Sequence, residues 1–239
     1  MATATAVPAS SAKQAEPEPA PPVKEVSTIQ ILDPQGIDFV PKTEWQKEEP
    51  LLDRLNRLEH AENEPIMDIV IMHSAEATTA DNELSVLQAM QSFHINTRGW
   101  DDIAPHYLVG PSGKVYQGRN LRFRYPDGQG STIGSGMGRF SYAWNKCAIM
   151  LMGDFISQEI TAEAQQATVA LIDDRRNHFQ QLYREQLDER EAETARLMGG
   201  RHADGTNYGY DVVRVRQHPS LPASVWASIN PESGGAEAP

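Results

Sequence analysis

Residues 66–73, IMDIVIMH, are the stretch that decides the fold class. The run is almost unbroken in its apolar character, which is typical of a central strand covered on both faces of its sheet. Residues 146–152, KCAIMLM, have the same character and predict a second buried strand. PHYLV at 105–109 and KVYQ at 114–117 flank a Gly-Pro-Ser-Gly turn, which predicts a β-hairpin between the two buried strands.

Helical patterns alternate with these strands. Asp81 or Asn82 can cap a helix whose apolar residues recur at three-residue steps: Leu84, Leu87, Met90 and Phe93. Thr161 is predicted to cap a long helix whose charged end, 184–196, forms a solvated extension. A strand at 211–216 and a short helix within 221–229 follow. The alternation predicts an α/β domain with a mixed central β-sheet flanked by helices.

Composition excludes several classes of partner. The 239 residues include 21 Lys+Arg and 33 Asp+Glu, so the formal net charge is −12. Sequence-independent binding to nucleic acid or to an anionic membrane needs clustered cations, so we expect neither partner. No apolar run approaches the roughly 20 residues of a membrane helix. Cys147 is the only cysteine, which excludes an internal disulfide and a Cys-rich metal knuckle.

The two ends of the chain differ from its centre. Residues 1–27 are rich in Ala, Pro and Glu and contain no aromatic residue, which predicts a disordered tail. Residues 231–239 predict a second flexible tail, and 28–230 a single domain. The N-terminus lacks the basic and apolar regions of a Sec signal peptide, so we expect a cytoplasmic protein as synthesised. A component of a phage-type or other particle would have the same features.

Six segments, taken in chain order, resemble the peptidoglycan recognition proteins and the related type-2 N-acetylmuramoyl-L-alanine amidases. They are FVPKTEW at 39–45, IVIMH at 69–73, FHINTRGWDDI at 93–103, YLVGPSGKVYQG at 107–118, IGS at 133–135 and NKCAIMLMG at 145–153. The resemblance implies an amidase-type domain with insertions near 119–132 and 184–209. It also implies a zinc enzyme that cleaves the bond between the lactyl group of N-acetylmuramic acid and L-alanine.

The resemblance places His73 at the first zinc-ligand position. The second ligand of the family is a His just after a late strand, and the third is a Cys or Asp about eight to ten residues further on. Aligning 211–216 with that strand puts Arg216 and Ser224 at these positions. A guanidinium is always protonated and an alcohol is a poor zinc ligand, so we predict no zinc with this set.

An alternative zinc site consists of His73, His202 and Asp211, and it would make the protein an active zinc-dependent amidase. The spacing of its last two residues is acceptable, but no predicted strand precedes His202. His218 is a further candidate, although Pro219 follows it and no suitable third ligand lies downstream.

The assisting residues of the family are also replaced. Pro105 stands where one branch has a Tyr, Met150 where another has a Glu, and Gly136 where many members have a His. Proline and methionine side chains can neither donate nor accept a proton in catalysis. We therefore predict a pseudoenzyme with no catalytic residue.

The resemblance also suggests a groove that binds ligand. Its predicted residues are His73, Ser74, Arg119, Ser135 and Arg139. Arg119, with Arg122, Arg124 and Arg139, forms a local basic cluster that is suited to bidentate contacts with a stem-peptide carboxylate.

Three functions follow as hypotheses. The first is a degenerate amidase domain that binds peptidoglycan or muropeptide, and the second is an active zinc amidase. The third is a structural or scaffold subunit of a larger assembly, with protein partners that contact the tail and the insertions.

Overall fold

The computed structural model of the chain describes residues 33–50, 66, 68–100, 102–119, 146–197 and 213–230. Both predicted tails lie outside these residues, as do several predicted site residues: Arg122, Arg124, Ser135, Gly136, Arg139, His202 and Asp211. No helix of the described part combines the length and apolar character needed to cross a bilayer.

Eleven elements follow one another along the described part of the chain. They are β1 (Phe39–Val40), α1 (Lys42–Trp45), β2 (Asp68–His73), α2 (Glu83–Ser92), a π-helical turn (Phe93–Thr97), β3 (Tyr107–Val109), β4 (Val115–Gln117), β5 (Lys146–Leu151), α3 (Ala162–Leu197), β6 (Arg214–Gln217) and α4 (Ala223–Ile229).

The strands form one six-stranded sheet in the order β1-β4-β3-β5-β2-β6. Only β3 and β4 pair antiparallel, as the two arms of the predicted hairpin, and the other neighbours pair parallel. The predicted mixed sheet is therefore confirmed. Because β2, β3, β5 and β6 are parallel, their last residues meet at one edge of the sheet, which we call the carboxyl edge. Ligands of open α/β sheets bind at such an edge.

The core has one layer on each face of the sheet. Ile69 and Ile71 of β2 pack, with Cys147 and Ile149 of β5, against Leu171 of α3 and its neighbours. Alternate residues of the same strands point to the other face, where Leu87 of α2 joins a second core cluster. All six residues of β2 are buried, as its apolar sequence predicts. Burial also raises the pKa of the Cys147 thiol to about 12, which makes it an inert core residue.

The predicted apolar stripe of α2 is partly wrong. Leu87 is fully buried, but Leu84 and Phe93 are 46% and 44% exposed. The other buried residues of this helix are polar, namely Glu83 and Gln91. Gln91 accepts hydrogen bonds from the amides of residues 47 and 48 and donates one to the Glu48 carbonyl. These partners, distant in the chain, satisfy the buried side-chain amide of Gln91. A prediction from the pattern of apolar residues alone would place this polar side chain in solvent.

Glu83 fixes the hairpin turn next to α2. Its carboxylate accepts hydrogen bonds from the Ser112 amide and hydroxyl and from the Tyr116 hydroxyl. Gly110 lies so close to it that a Cβ there would clash with a carboxylate oxygen of Glu83. The turn therefore needs a glycine for close approach, and the buried carboxylate serves the fold.

The long helix α3 begins as predicted. The Thr161 hydroxyl accepts a hydrogen bond from the Ala164 amide at 3.1 Å and donates one to the Pro111 carbonyl at 2.7 Å. The hydrogen bond from Thr161 to the Pro111 carbonyl joins the start of α3 to the hairpin turn. The helix continues to Leu197, so the predicted extension is helical, and Arg184 and Glu185 at its beginning are exposed.

Candidate functional site at the carboxyl edge

His73 is the last residue of β2 and lies at the carboxyl edge. It is only 7% exposed, and its Nδ1 is buried without a hydrogen-bond partner among the described residues. Its ring lies 6.0 Å from the Phe155 ring, measured between centroids. A buried nitrogen without a partner costs about 1–3 kcal/mol, and such groups are more readily explained by a site than by folding.

The residues after His73 hold the edge in a fixed shape. The Ser74 hydroxyl accepts a hydrogen bond from the Gly153 amide at 3.0 Å, and the Ser74 amide donates to the Leu151 carbonyl at 3.0 Å. Ser74 thus joins the ends of β2 and β5. Ala75 has a φ of +56°, a left-handed conformation that costs energy for a residue other than glycine. Backbone strain of this kind concentrates at functional sites.

Two further histidines of the described chain use Nδ1 in the fold. The Ala104 amide donates to Nδ1 of His94 at 3.3 Å, and the His94 ring packs on Trp100 with centroids 4.5 Å apart. Burial, then the charges of Arg119 and Arg98, lower the pKa of His94 to about 4. The Ala148 amide donates to Nδ1 of His106 at 2.9 Å. In both rings Nδ1 is an acceptor, which distinguishes them from His73.

The predicted position of Arg216 at the second ligand site is wrong. The register pairs Arg216 with Val70, inside the strand, and its Nε donates to Asp68 at 2.7 Å. The strand ends at Gln217, so the first residue after it is His218, whose amide donates to the Ile71 carbonyl at 2.9 Å. His218 is therefore the histidine that follows the strand at the carboxyl edge. Because the alternation of apolar residues in the sequence stops at Arg216, the sequence alone does not reveal that the strand continues to Gln217.

The described residues do not fit the zinc ion that the family implies. Eight to ten residues after His218 stand Trp226, Ala227 and Ser228, none of which is a usual zinc ligand. Ser224, the predicted third position, is exposed in the first turn of α4. Across the described part of the chain no three His, Cys, Asp or Glu side chains are grouped to hold a metal. His202 and Asp211 of the alternative site lie outside that part.

The positions of the assisting residues carry no proton-transferring group. Pro105 is buried, and its carbonyl accepts a hydrogen bond from the Arg119 amide at 2.8 Å. Met150 lies in the middle of the sheet, where the register pairs it with Met72 and Leu108. Both residues serve packing in the described part of the chain.

Arg119 is not the ligand-binding residue that the sequence predicted. It is 1% exposed, and its guanidinium donates to the carbonyls of Ile103 at 3.1 Å and Asp102 at 2.9 Å. The side chain turns back into the molecule and secures the loop before β3. A cluster of arginines in the sequence cannot reveal this, because both acceptors lie 16 and 17 residues away in the chain.

A pocket of about 230 Å³ lies at the same edge and was not predicted from the sequence. Its walls include Thr78, Pro111, Met152, Phe155, Gln158 and Ala164. Phe155 lines the pocket, and its ring centroid is 6.0 Å from that of His73. The lining of the pocket is mixed, with apolar and polar side chains.

Comparison with known proteins identifies the family. Residues 62–207, more than half of the chain, match the model of the N-acetylmuramoyl-L-alanine amidase family. The chain belongs to this family, which includes active amidases and non-catalytic peptidoglycan recognition proteins. The resemblance seen in the sequence is thereby confirmed.

Similar curated proteins are peptidoglycan recognition proteins. Peptidoglycan-recognition protein LE of Drosophila melanogaster is 30% identical over 131 residues, which cover 53% of this chain and 32% of the relative. Peptidoglycan recognition protein 3 of Homo sapiens is 27% identical over 139 residues, covering 56% and 35%. The alignments thus span about a third of the length of these two relatives.

Similar solved structures come from the same group. One is peptidoglycan recognition protein LE in complex with tracheal cytotoxin, a monomeric diaminopimelic acid-type peptidoglycan, with 26% identity and a TM-score of 0.43 over 57% of this chain and 72% of that one. Another is human PGRP-IBETAC in complex with glycosamyl muramyl pentapeptide, with 24% identity and a TM-score of 0.43 over 57% and 73%.

Proposed function

We propose that this chain is a catalytically degenerate member of the amidase family that binds peptidoglycan or muropeptide at the carboxyl edge. One observation carries the proposal: the described edge keeps a buried histidine whose Nδ1 has no partner among the described residues, but no zinc-ligand set is found there, and Pro105 and Met150 stand at the positions of the family's assisting residues. A site that has lost its chemistry while its fold persists is suited to binding.

The names of similar proteins support the ligand class. The relatives are named for recognition of peptidoglycan, and two solved relatives hold a monomeric peptidoglycan and a muramyl pentapeptide. These ligands carry amides, hydroxyls and carboxylates, which a partly polar groove can recognise through hydrogen bonds. The pocket beside Phe155 offers space for part of such a ligand.

The test is co-sedimentation of the purified chain with insoluble peptidoglycan, together with an assay for released L-alanine-linked peptide. We expect retention without release. His73→Ala should weaken retention at least tenfold. His178→Ala is a matched control, because His178 also has a buried nitrogen, Nε2, without a partner among the described residues but lies far along α3. Absence of retention of the unaltered chain would contradict the proposal.

A working zinc amidase with His73, His202 and Asp211 is a second candidate, favoured by the Nδ1 of His73, which has no hydrogen-bond partner among the described residues. It requires stoichiometric zinc and peptide release, both abolished by a chelator and by His202→Ala. A third outcome, no retention together with a stable co-purifying protein, would support the scaffold hypothesis.

A further inference from the structure

The turn between β6 and α4 is fixed by several hydrogen bonds around His218. The Ser220 amide donates to Nδ1 of His218 at 3.1 Å, and the Ser220 hydroxyl lies 2.6 Å from the same nitrogen. The Leu221 amide donates to the His218 carbonyl at 2.9 Å, and the Gln217 side chain donates to the Leu221 carbonyl at 2.8 Å. The imidazole is therefore part of the turn.

The amide contact decides the protonation state of the ring. A backbone N–H can be accepted only by a ring nitrogen that has a free lone pair, so Nδ1 of His218 is unprotonated. The proton of the neutral imidazole then lies on Nε2. This assignment follows from the hydrogen-bond network, which is the usual basis for assigning a tautomer.

That tautomer is incompatible with zinc binding. A metal ligand needs a lone pair at the bound nitrogen, and a zinc-bound histidine normally donates its other N–H to an acceptor. In His218, Nε2 carries the proton and Nδ1 faces an amide donor, which cannot accept. Zinc binding through Nε2 would move the ring proton to Nδ1, where the Ser220 hydroxyl could accept it but the hydrogen bond from the Ser220 amide would be lost.

We infer that the contact between Ser220 and His218 disfavours His218 as a zinc ligand, so that ligand binding at the described carboxyl edge is independent of metal. The inference rests on the proposed function, which supplies the peptidoglycan ligand. It concerns a separate property of the edge, namely whether binding there requires a metal. His218 is a positioning residue that holds the β6–α4 turn beside the end of β2.

Nitrogen-15 NMR of the histidine rings tests the tautomer directly. In the unaltered chain and in Ser220→Ala, which keeps the amide donor, we expect His218 with an unprotonated Nδ1. Ser220→Pro removes both the amide N–H and the hydroxyl, so the His218 signals should move toward a mixture of tautomers. A proton on Nδ1 in the unaltered chain would overturn the inference, and that spectrum is decisive even if Ser220→Pro does not fold.

Zinc titration by calorimetry provides the second measurement. We expect no stoichiometric zinc binding by the unaltered chain or by Ser220→Thr, which keeps both donors. Stoichiometric zinc that is lost in His218→Ala would overturn the inference. Zinc that is lost in His202→Ala would also overturn it, in favour of the alternative ligand set.

Sedimentation with peptidoglycan in the presence and absence of a chelator separates the two proposals. Retention within about twofold under both conditions is expected. Retention that requires zinc would overturn the metal independence and leave peptidoglycan binding intact. Absence of retention under every condition would overturn the proposed function, while the NMR and zinc results would still decide the state of His218.

Discussion

The buried polar residues at the two ends of β2 differ in their hydrogen bonding. At its start, Asp68 is 4% exposed, and its carboxylate accepts hydrogen bonds from Arg214 at 2.9 Å and Arg216 at 2.7 Å. At its end, His73 is 7% exposed, and its Nδ1 has no partner among the described residues. One strand thus carries a buried carboxylate that is hydrogen-bonded to the neighbouring strand and a buried imidazole whose Nδ1 has no hydrogen-bond partner among the described residues.

The difference separates folding from function. The carboxylate of Asp68 ties β2 to the edge strand β6, which a structural role explains fully. The Nδ1 of His73 makes no stabilising hydrogen bond with the described residues, and Ala75, two residues further on, is held at a positive φ. Sequences satisfy local rules except where a site requires otherwise, so the carboxyl edge is where a ligand is expected.

The largest expected effect concerns His94, a half-buried histidine whose Nδ1 accepts a hydrogen bond from the Ala104 amide. Its folded pKa of about 4 lies below the ordinary value of 6.5, so the unfolded chain takes up the proton first as pH falls. Stability should therefore fall by about 3 kcal/mol between pH 7 and pH 4 through this residue. The lowered pKa of His178, caused first by burial, acts in the same direction.

Urea unfolding at several pH values measures this effect. His94→Gln should have a shallower loss of stability with acid than the unaltered chain, and the shared contribution of the acidic residues cancels in the comparison. Equal slopes for both chains would show that the burial of His94 does not resist protonation.

The second effect tests the start of β2. Asp68→Ala should destabilise the fold by about 2 kcal/mol, because Arg214 and Arg216 lose their shared hydrogen-bond acceptor. The loss is limited to this size because both guanidinium groups are partly exposed and water can hydrate them. Urea unfolding measures the loss, and Asp68→Asn, which keeps the shape, should cost less. An Asp68→Ala variant as stable as the unaltered chain would contradict the contrast between the two ends of β2.

The third effect tests the end of β2. His73→Phe should stabilise the fold by about 1 kcal/mol, because it removes the unmet nitrogen and keeps a ring against Phe155. The same variant should lose retention on peptidoglycan. Thermal unfolding and sedimentation check the two results, and a clear loss of stability would show that the imidazole serves the fold.

The smallest effect concerns the strain beside His73. Ala75→Gly should stabilise the fold by about 0.5 kcal/mol, since relief of the left-handed conformation exceeds the added freedom of the unfolded chain. Ala104→Gly, at a buried position where φ is not positive, is the control and should destabilise. Destabilisation by Ala75→Gly would argue against stored strain at the edge.

Local patterns were sufficient for most of the fold. The apolar run at 66–73, the Gly-Pro-Ser-Gly turn and the cap at Thr161 each predict an element from the residue types within a short stretch of sequence. The buried polar residues were less predictable, because Gln91 and Arg119 are satisfied by backbone groups of distant loops. The end of β6 was also missed, since the polar Gln217 continues the strand only through pairing with β2.

The sequence by itself determined the α/β class, the family and the absence of proton-transferring side chains at Pro105 and Met150. These are properties of residue type and local order, which the chain carries before it folds. Only the tertiary structure decided that Arg119 is internal, that His218 rather than Arg216 follows the last strand, and that Ser220 fixes its ring. Such outcomes depend on strand register and on single hydrogen bonds at the carboxyl edge, which form only when the sheet is assembled.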